Sequence, residues 1–220
     1  SGRRRPLDGT GRGGADSLEM KTAFVTGATG FLGVNLVALL RAEGWRVVAI
    51  HRPASRLAEL RDLGVELVPG AIDDPSSLER AMPEGVDAVF HVAGNTSVWS
   101  RNDAAQTRDN VEGTRNVAAA ALARGARRMV HTSSVTVYGL GDFRATEETP
   151  PAEDCPVNYF RTKRLAEREV EAAAARGLAT AILRPGNIVG PGDRHNWARL
   201  IRLVAAGKLP GSPPGRASWC

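Results

Sequence analysis

The segment Thr26-Gly27-Ala28-Thr29-Gly30-Phe31-Leu32-Gly33 constrains this chain more than any other. It follows a short apolar run, Thr22–Thr26, and opens an amphipathic stretch, Phe31–Glu43, so it reads as the turn between a buried strand and a helix. Gly27 permits the tight turn, and Gly30 lets backbone N–H groups approach a phosphate with no Cβ in the way. Gly33 lets the helix pack close to the strand. The helix N-terminus then directs its partial positive charge at the same point. Glycines in a loop are weak evidence by themselves, but strand, glycine loop and helix in this order predict a seat for the pyrophosphate of a dinucleotide.

The rest of the chain extends the pattern. Further strand candidates are Arg46–Ile50, Val65–Val68, Ala88–Val92, Arg128–Thr132 and Thr180–Leu183, each short and rich in Val, Ile, Phe or Ala. Helix candidates lie between them at Ser55–Asp62, Ser76–Ala81, Asn102–Arg124, Val157–Arg176 and Asn196–Ala206. Gly44, Gly64, Gly125, Gly177 and Gly207 follow these helical stretches, where a left-handed residue ends a helix. Such alternation predicts an α/β chain with a doubly wound parallel sheet of the Rossmann kind. Residues 1–19 are Gly/Arg-rich and aperiodic and read as a disordered arm. The folded unit is expected from Met20, with a nucleotide-binding domain over 20–194. Residues 195–220 are expected to be the start of a substrate-binding region that stops short.

Composition excludes several classes. The chain has 220 residues, 42% of them hydrophobic, which is enough for one sizeable core. Two cysteines, Cys155 and Cys220, make neither a disulfide framework nor a zinc site, so a reducing, cytoplasmic setting is the default. The histidines His51, His91, His131 and His195 share no ligand spacing, and no metal is expected. No apolar run approaches the roughly 18 residues of a membrane span. The net charge is +5, but the basic residues are scattered rather than striped, which argues against nucleic acid as a partner.

Two places carry finer chemistry. A carboxylate is expected about 20 residues after the glycines to hold the ribose 2′-OH of NAD. Here the second strand ends His51-Arg52-Pro53 instead. The Arg52 fork suits a 2′-phosphate, with Ser55 or Arg56 assisting, so NADP is favoured and NAD remains the alternative. Tyr159 and Lys163 lie four apart on a helical pattern, hence on one face. An ammonium beside a phenol is expected to lower the phenol toward the working range as an acid/base group. Ser134 closes the strand around Thr132, where open parallel sheets bind ligands, and its hydroxyl is placed to hold a carbonyl oxygen beside Tyr159.

With these residues the chain resembles the extended branch of the short-chain dehydrogenase/reductase superfamily. That branch includes dihydroflavonol reductase-like enzymes, 3β-hydroxysteroid dehydrogenases and nucleotide-sugar epimerases. The matching motifs are TGATGFLG (Thr26–Gly33), HVAG (His91–Gly94), NVEGT (Asn110–Thr114), HTSSVTVYG (His131–Gly139), YFRTK (Tyr159–Lys163) and LRPGNIVGPGD (Leu183–Asp193). The resemblance implies that Tyr159 is the general acid/base, Lys163 holds the nicotinamide ribose and tunes Tyr159, and Ser134 orients the substrate carbonyl, with Ser133 as a stand-in. It assigns the cofactor to Gly27, Thr29, Gly30, Phe31, Leu32 and Gly33, then to His51, Arg52 and Ile72. It adds His91, Ala93, Gly94 and Asn110, and finally Tyr159, Lys163 and Pro185. His91 and His131 read equally well as buried polar residues satisfied by backbone. A homodimer through the helices matched by Asn102–Arg124 and Val157–Arg176 is also implied, and equally those helices pack only on the sheet.

Two departures stand out. The family's Asp after the third strand is missing, because Gly70 is followed by Ala71 and Ile72, so Asp73 or Asp74 is expected to substitute. Extended members also continue well past this length. The reading is an NADP-preferring oxidoreductase that moves hydride between the nicotinamide and a ketone or secondary alcohol, its small-molecule substrate. The alternatives are an NAD-dependent nucleotide-sugar epimerase or dehydratase, and a non-catalytic dinucleotide-binding protein or truncated remnant.

Overall fold

In a computed structural model, residues 20–97, 99–139, 144–193, 197–208 and 211 are described. The arm expected at 1–19 lies outside them. Six strands form one sheet: β1 (Thr22–Thr26), β2 (Arg46–His51), β3 (Glu66–Pro69), β4 (Ala88–His91), β5 (Arg128–Thr132) and β6 (Ala179–Leu183). Their order is β3-β2-β1-β4-β5-β6, and every pairing is parallel. Strand order therefore reverses direction between β1 and β4, and the crevice at their C-terminal ends is where such sheets bind ligands.

Alternation along the strands sends side chains to two cores. Phe24, Val48, Ile50, Val89 and Met129 pack on one face beneath α3 (Pro75–Ala81), α5 (Gly113–Ala123) and α6 (Asn158–Ala175). Ala23, Val25, Val47 and Ala49 pack on the other against Val37 and Leu40 of α1 (Phe31–Ala42) and Leu60 of α2 (Ala58–Asp62). Both faces are thus covered, as a buried parallel sheet requires. The five helix-ending glycines all have positive φ, as the sequence pattern anticipates.

The structure corrects several boundaries. α2 begins at Ala58 rather than Ser55. The stretch expected as one helix over Asn102–Arg124 is a 3₁₀ turn (Ser100–Asn102), α4 (Asp103–Thr107), a π-helical turn (Arg108–Glu112) and α5. The extra residue of a π-turn rotates the following helix face by about 100°, but where most of the apolar residues are alanine that offset does not show in the sequence. The last described helix, α7 (Trp197–Ala205), falls within the stretch expected over Asn196–Ala206, whose first residue lies outside the described residues. No described helix is long and apolar enough to cross a membrane.

Candidate active site

β1 delivers the glycine loop to the crevice. Gly27 has φ +73°, and a Cβ there would sit 2.5 Å from the Ala93 backbone N, so only glycine lets the loop come this close to the segment after β4. A Cβ on Gly33 would collide with the Gly27 carbonyl and lie 2.6 Å from Ala28 Cα. α1 has Gly30 as its N-cap, no side-chain cap and no acidic residue in its first turn. α3, by contrast, is capped by Asp74, which accepts from the N–H groups of Ser76 and Ser77. The N-terminus of α1 thus offers the N–H groups of Phe31 and Leu32 to an incoming anion, where that of α3 is already served by its own carboxylate.

A cleft of about 560 Å³ opens above this loop. Of the expected residues, Gly27, Thr29, Gly30, His51, Arg52, Ile72, Ala93 and Gly94 line it, together with Ser55. Asp73 lines it too, whereas Asp74 is committed to capping α3, so Asp73 is the carboxylate available where the family's Asp is missing. Asp73 also sits 3.7 Å from the Arg108 guanidinium, another cleft residue. Arg108, Asp109 and Asn95 were not anticipated, because the π-turn carries the first two to the cleft. Asn110 stands in the same turn and holds the cleft wall: its Oδ1 accepts from Asn95 N (2.7 Å), and its Nδ2 donates to Asn95 O and to Thr162 Oγ1 (3.0 Å each).

Phe31, Leu32, Gly33, His91, Asn110 and Pro185 are not cleft-lining. The Phe31 ring supports the 190–192 loop instead, where Gly190 and Gly192 approach it and Asn35 donates to Pro191 O (3.0 Å). His91 lies fully buried below the crevice, held by threonine hydroxyls rather than backbone: Nδ1 meets Thr26 Oγ1 at 2.7 Å and Nε2 meets Thr114 Oγ1 at 2.9 Å. His131 stacks on it at 5.2 Å, and neither of its ring nitrogens has a partner. Burial, reinforced by the Lys163 charge, pushes His91 down to about 3. His131 is pushed down to about 2 by burial, with His91 and Lys163 adding to it.

Ser134, Tyr159 and Lys163 come together beside the cleft. Ser134 lies beyond the end of β5 in extended backbone and caps a 3₁₀ turn, Val135–Tyr138, rather than ending the strand itself. The Lys163 Nζ donates to Thr132 O (2.9 Å), sits 6.0 Å from the Tyr159 ring centre, and is 3.2 Å from where a Cβ on Gly94 would stand. Gly94 is thus the point where the cleft meets the lysine. Burial pushes Lys163 down to about 8, with Glu167 opposing. Tyr159 departs from expectation: burial raises its phenol, and a hydrogen bond with Ser134 only partly opposes this. The Lys163 ammonium is turned to Thr132 O, so the phenol stays protonated at neutral pH. Pro185 lies beyond β6 and accepts from Val135 N (3.1 Å), which joins its loop to the Ser134 turn.

Comparison with known proteins agrees with this geometry. The family model of NAD-dependent epimerases and dehydratases matches residues 23–217. A 2-alkyl-3-oxoalkanoate reductase of Stenotrophomonas maltophilia is 41% identical over 193 residues, covering 84% of this chain and 56% of its own. Sterol demethylase protein B of Methylococcus capsulatus is 40% identical over 198 residues, 88% of this chain and 60% of its own. The Bordetella bronchiseptica enzyme WbmH, solved in complex with NAD+, superposes with a TM-score of 0.74 at 26% identity, over 86% of this chain and 64% of that one. The chain therefore spans only part of these relatives' length, 56% and 60% for the first two. On the family match, the six-stranded order and the crevice above the glycine loop, the chain belongs to the NAD-dependent epimerase/dehydratase family, within the extended short-chain dehydrogenases/reductases.

Proposed function

We propose that this chain carries the cofactor site and the proton-transfer residues of an NADP-preferring oxidoreductase acting on a ketone or secondary alcohol. The observation that carries the reading is the meeting of Ser134 with Tyr159 and of Tyr159 with Lys163, whose ammonium reaches Gly94 at the edge of a cleft that begins at an uncapped helix N-terminus. The donor set fits a dinucleotide: N–H groups of α1 for the pyrophosphate, Asp73 for the adenosine end, and Lys163 for a ribose hydroxyl. At the end of β2 the cleft presents His51, Arg52 and Ser55 and no carboxylate, a donor set suited to a 2′-phosphate. When bound, the nicotinamide supplies or accepts the hydride.

The chain's own residues handle the proton. Tyr159, held neutral by burial, gives its phenolic proton to the substrate oxygen in reduction and takes it back in oxidation. Ser134 donates a hydrogen bond to the same oxygen as negative charge grows there. Lys163, fixed by Thr132 O, keeps a positive charge close to the phenol and favours its anionic form after the transfer.

Consumption of NADPH against a panel of ketones tests this. Stoichiometric oxidation that falls about 10²-fold or more in Tyr159→Phe, with NADPH still bound, supports the reading. Turnover of a nucleotide sugar with no net NADPH consumption would instead favour an epimerase or dehydratase. One similar structure, MoeE5 (32% identical), is in complex with UDP-glucose and NAD.

A further inference from the structure

Glu167 is a fully buried carboxylate one helical turn beyond Lys163, with its side chain 2% exposed. Its partner is Arg184, the residue after β6, which grips it with two bonds of 2.9 Å, from Nε to Oε1 and from Nη2 to Oε2. The same guanidinium reaches a third element, because Nη1 donates to Tyr138 Oη at 2.7 Å. Tyr138 ends the 3₁₀ turn that Ser134 caps, and its own hydroxyl donates to Thr146 O (2.9 Å). One arginine thus joins α6, the Ser134 turn and the start of the Pro185 loop. Bidentate pairing of this kind fixes relative orientation as well as distance.

We infer that Glu167, through Arg184, is a positioning residue that holds Ser134, Lys163 and the Pro185 loop as one unit and supplies the buried negative charge opposite the Lys163 ammonium. The inference deepens the proposed function and rests on it for the roles of Ser134 and Lys163. The charge argument follows from what surrounds Lys163. Tyr159 and Glu167 face it from α6, His91 from β4 and His131 from β5, while Arg184, at the end of β6, meets this set through Glu167. Both histidines are held neutral and Tyr159 is protonated, which leaves Glu167 as the anionic group in this set. An ammonium buried with one carbonyl partner loses its charge readily unless such a carboxylate is present. The carboxylate in turn tolerates burial because Arg184 saturates both its oxygens.

The chain has three lysines, Lys21, Lys163 and Lys208, so ¹³C-labelled lysine gives few signals, and Lys163→Met assigns the one of interest. In the wild type that signal is expected to titrate at about 8. In Glu167→Gln the inference expects the midpoint to fall by about half a pH unit or more, since only an attractive charge is removed. Glu167→Gln/Arg184→Gln, which leaves no unpaired guanidinium, is the fallback if the single variant unfolds and is expected to shift the same way, because Lys163 still loses its carboxylate. Glu169→Gln, on the exposed Arg115 pair of the same helix, is expected to leave the midpoint unmoved. In the folded Glu167→Gln protein the expected pH limb of NADPH binding moves with the lysine. An unmoved Lys163 midpoint in whichever variant folds overturns the inference while leaving the proposed function intact. Absence of NADPH binding to the wild type overturns the proposed function, and the lysine titration still decides the role of Glu167.

Discussion

Lowering the pH from 7.5 to 5.5 is expected to weaken the fold through two histidines. His91 and His131 are 0% and 1% exposed, stacked, and held neutral with folded values of about 3 and 2. The unfolded chain binds protons at about 6.5 at both positions. Because the folded values are depressed, the unfolded state takes up protons first as pH falls. The stability is therefore whole above about 7.5 and declines steadily below 6.5 until the folded groups themselves titrate. At pH 5.5 each site favours the unfolded chain by RT ln(1 + 10), about 1.4 kcal/mol, against under about 0.1 kcal/mol at pH 7.5. The pair together costs about 2.7 kcal/mol over that interval, a large share of a typical domain's stability. Urea unfolding at the two pH values measures it. His131→Leu sharpens the test, because it removes one site and two ring nitrogens that have no partner. The variant is expected to be no less stable at pH 7.5 and to lose only about 1.4 kcal/mol on acidification. Equal losses in wild type and variant, or no loss in either, would refute the reasoning.

Other consequences concern the cleft. Gly33→Ala places a methyl against the Gly27 carbonyl and Ala28, so a loss of about 3 kcal/mol or more in urea unfolding is expected, together with loss of dinucleotide binding. Arg52→Glu should weaken NADPH about 10- to 100-fold in a fluorescence titration while leaving NADH unchanged or tighter. Lys163, lowered to about 8, is charged below that pH and neutral above it, so dinucleotide affinity is expected to fall as pH rises through 8. A pH-independent affinity from 7 to 9 would argue against its role.

The fold was legible because its signals are local. Short β-branched and aromatic strands, glycines after helices and the Gly27–Gly33 spacing each reflect a backbone requirement that a few adjacent residues satisfy. Tyr159 and Lys163 were legible for the same reason, since spacing of four along a helix puts them on one face. What escaped depended on tertiary packing. The π-turn that brings Arg108 and Asp109 to the cleft shifts the helical phase within an alanine-rich stretch, where the shift leaves little trace in the sequence. The Glu167–Arg184 pair spans a helix and a distant strand end, which no local spacing displays. The direction of the Tyr159 phenol was missed because burial, which the sequence does not display, outweighs a neighbouring ammonium that points elsewhere.

The most direct test of the account is a fluorescence titration of this chain with NADPH and, separately, with NADH. The account predicts saturable binding of both, with NADPH tighter and its advantage abolished in Arg52→Glu. Failure of either dinucleotide to bind a folded chain would contradict it.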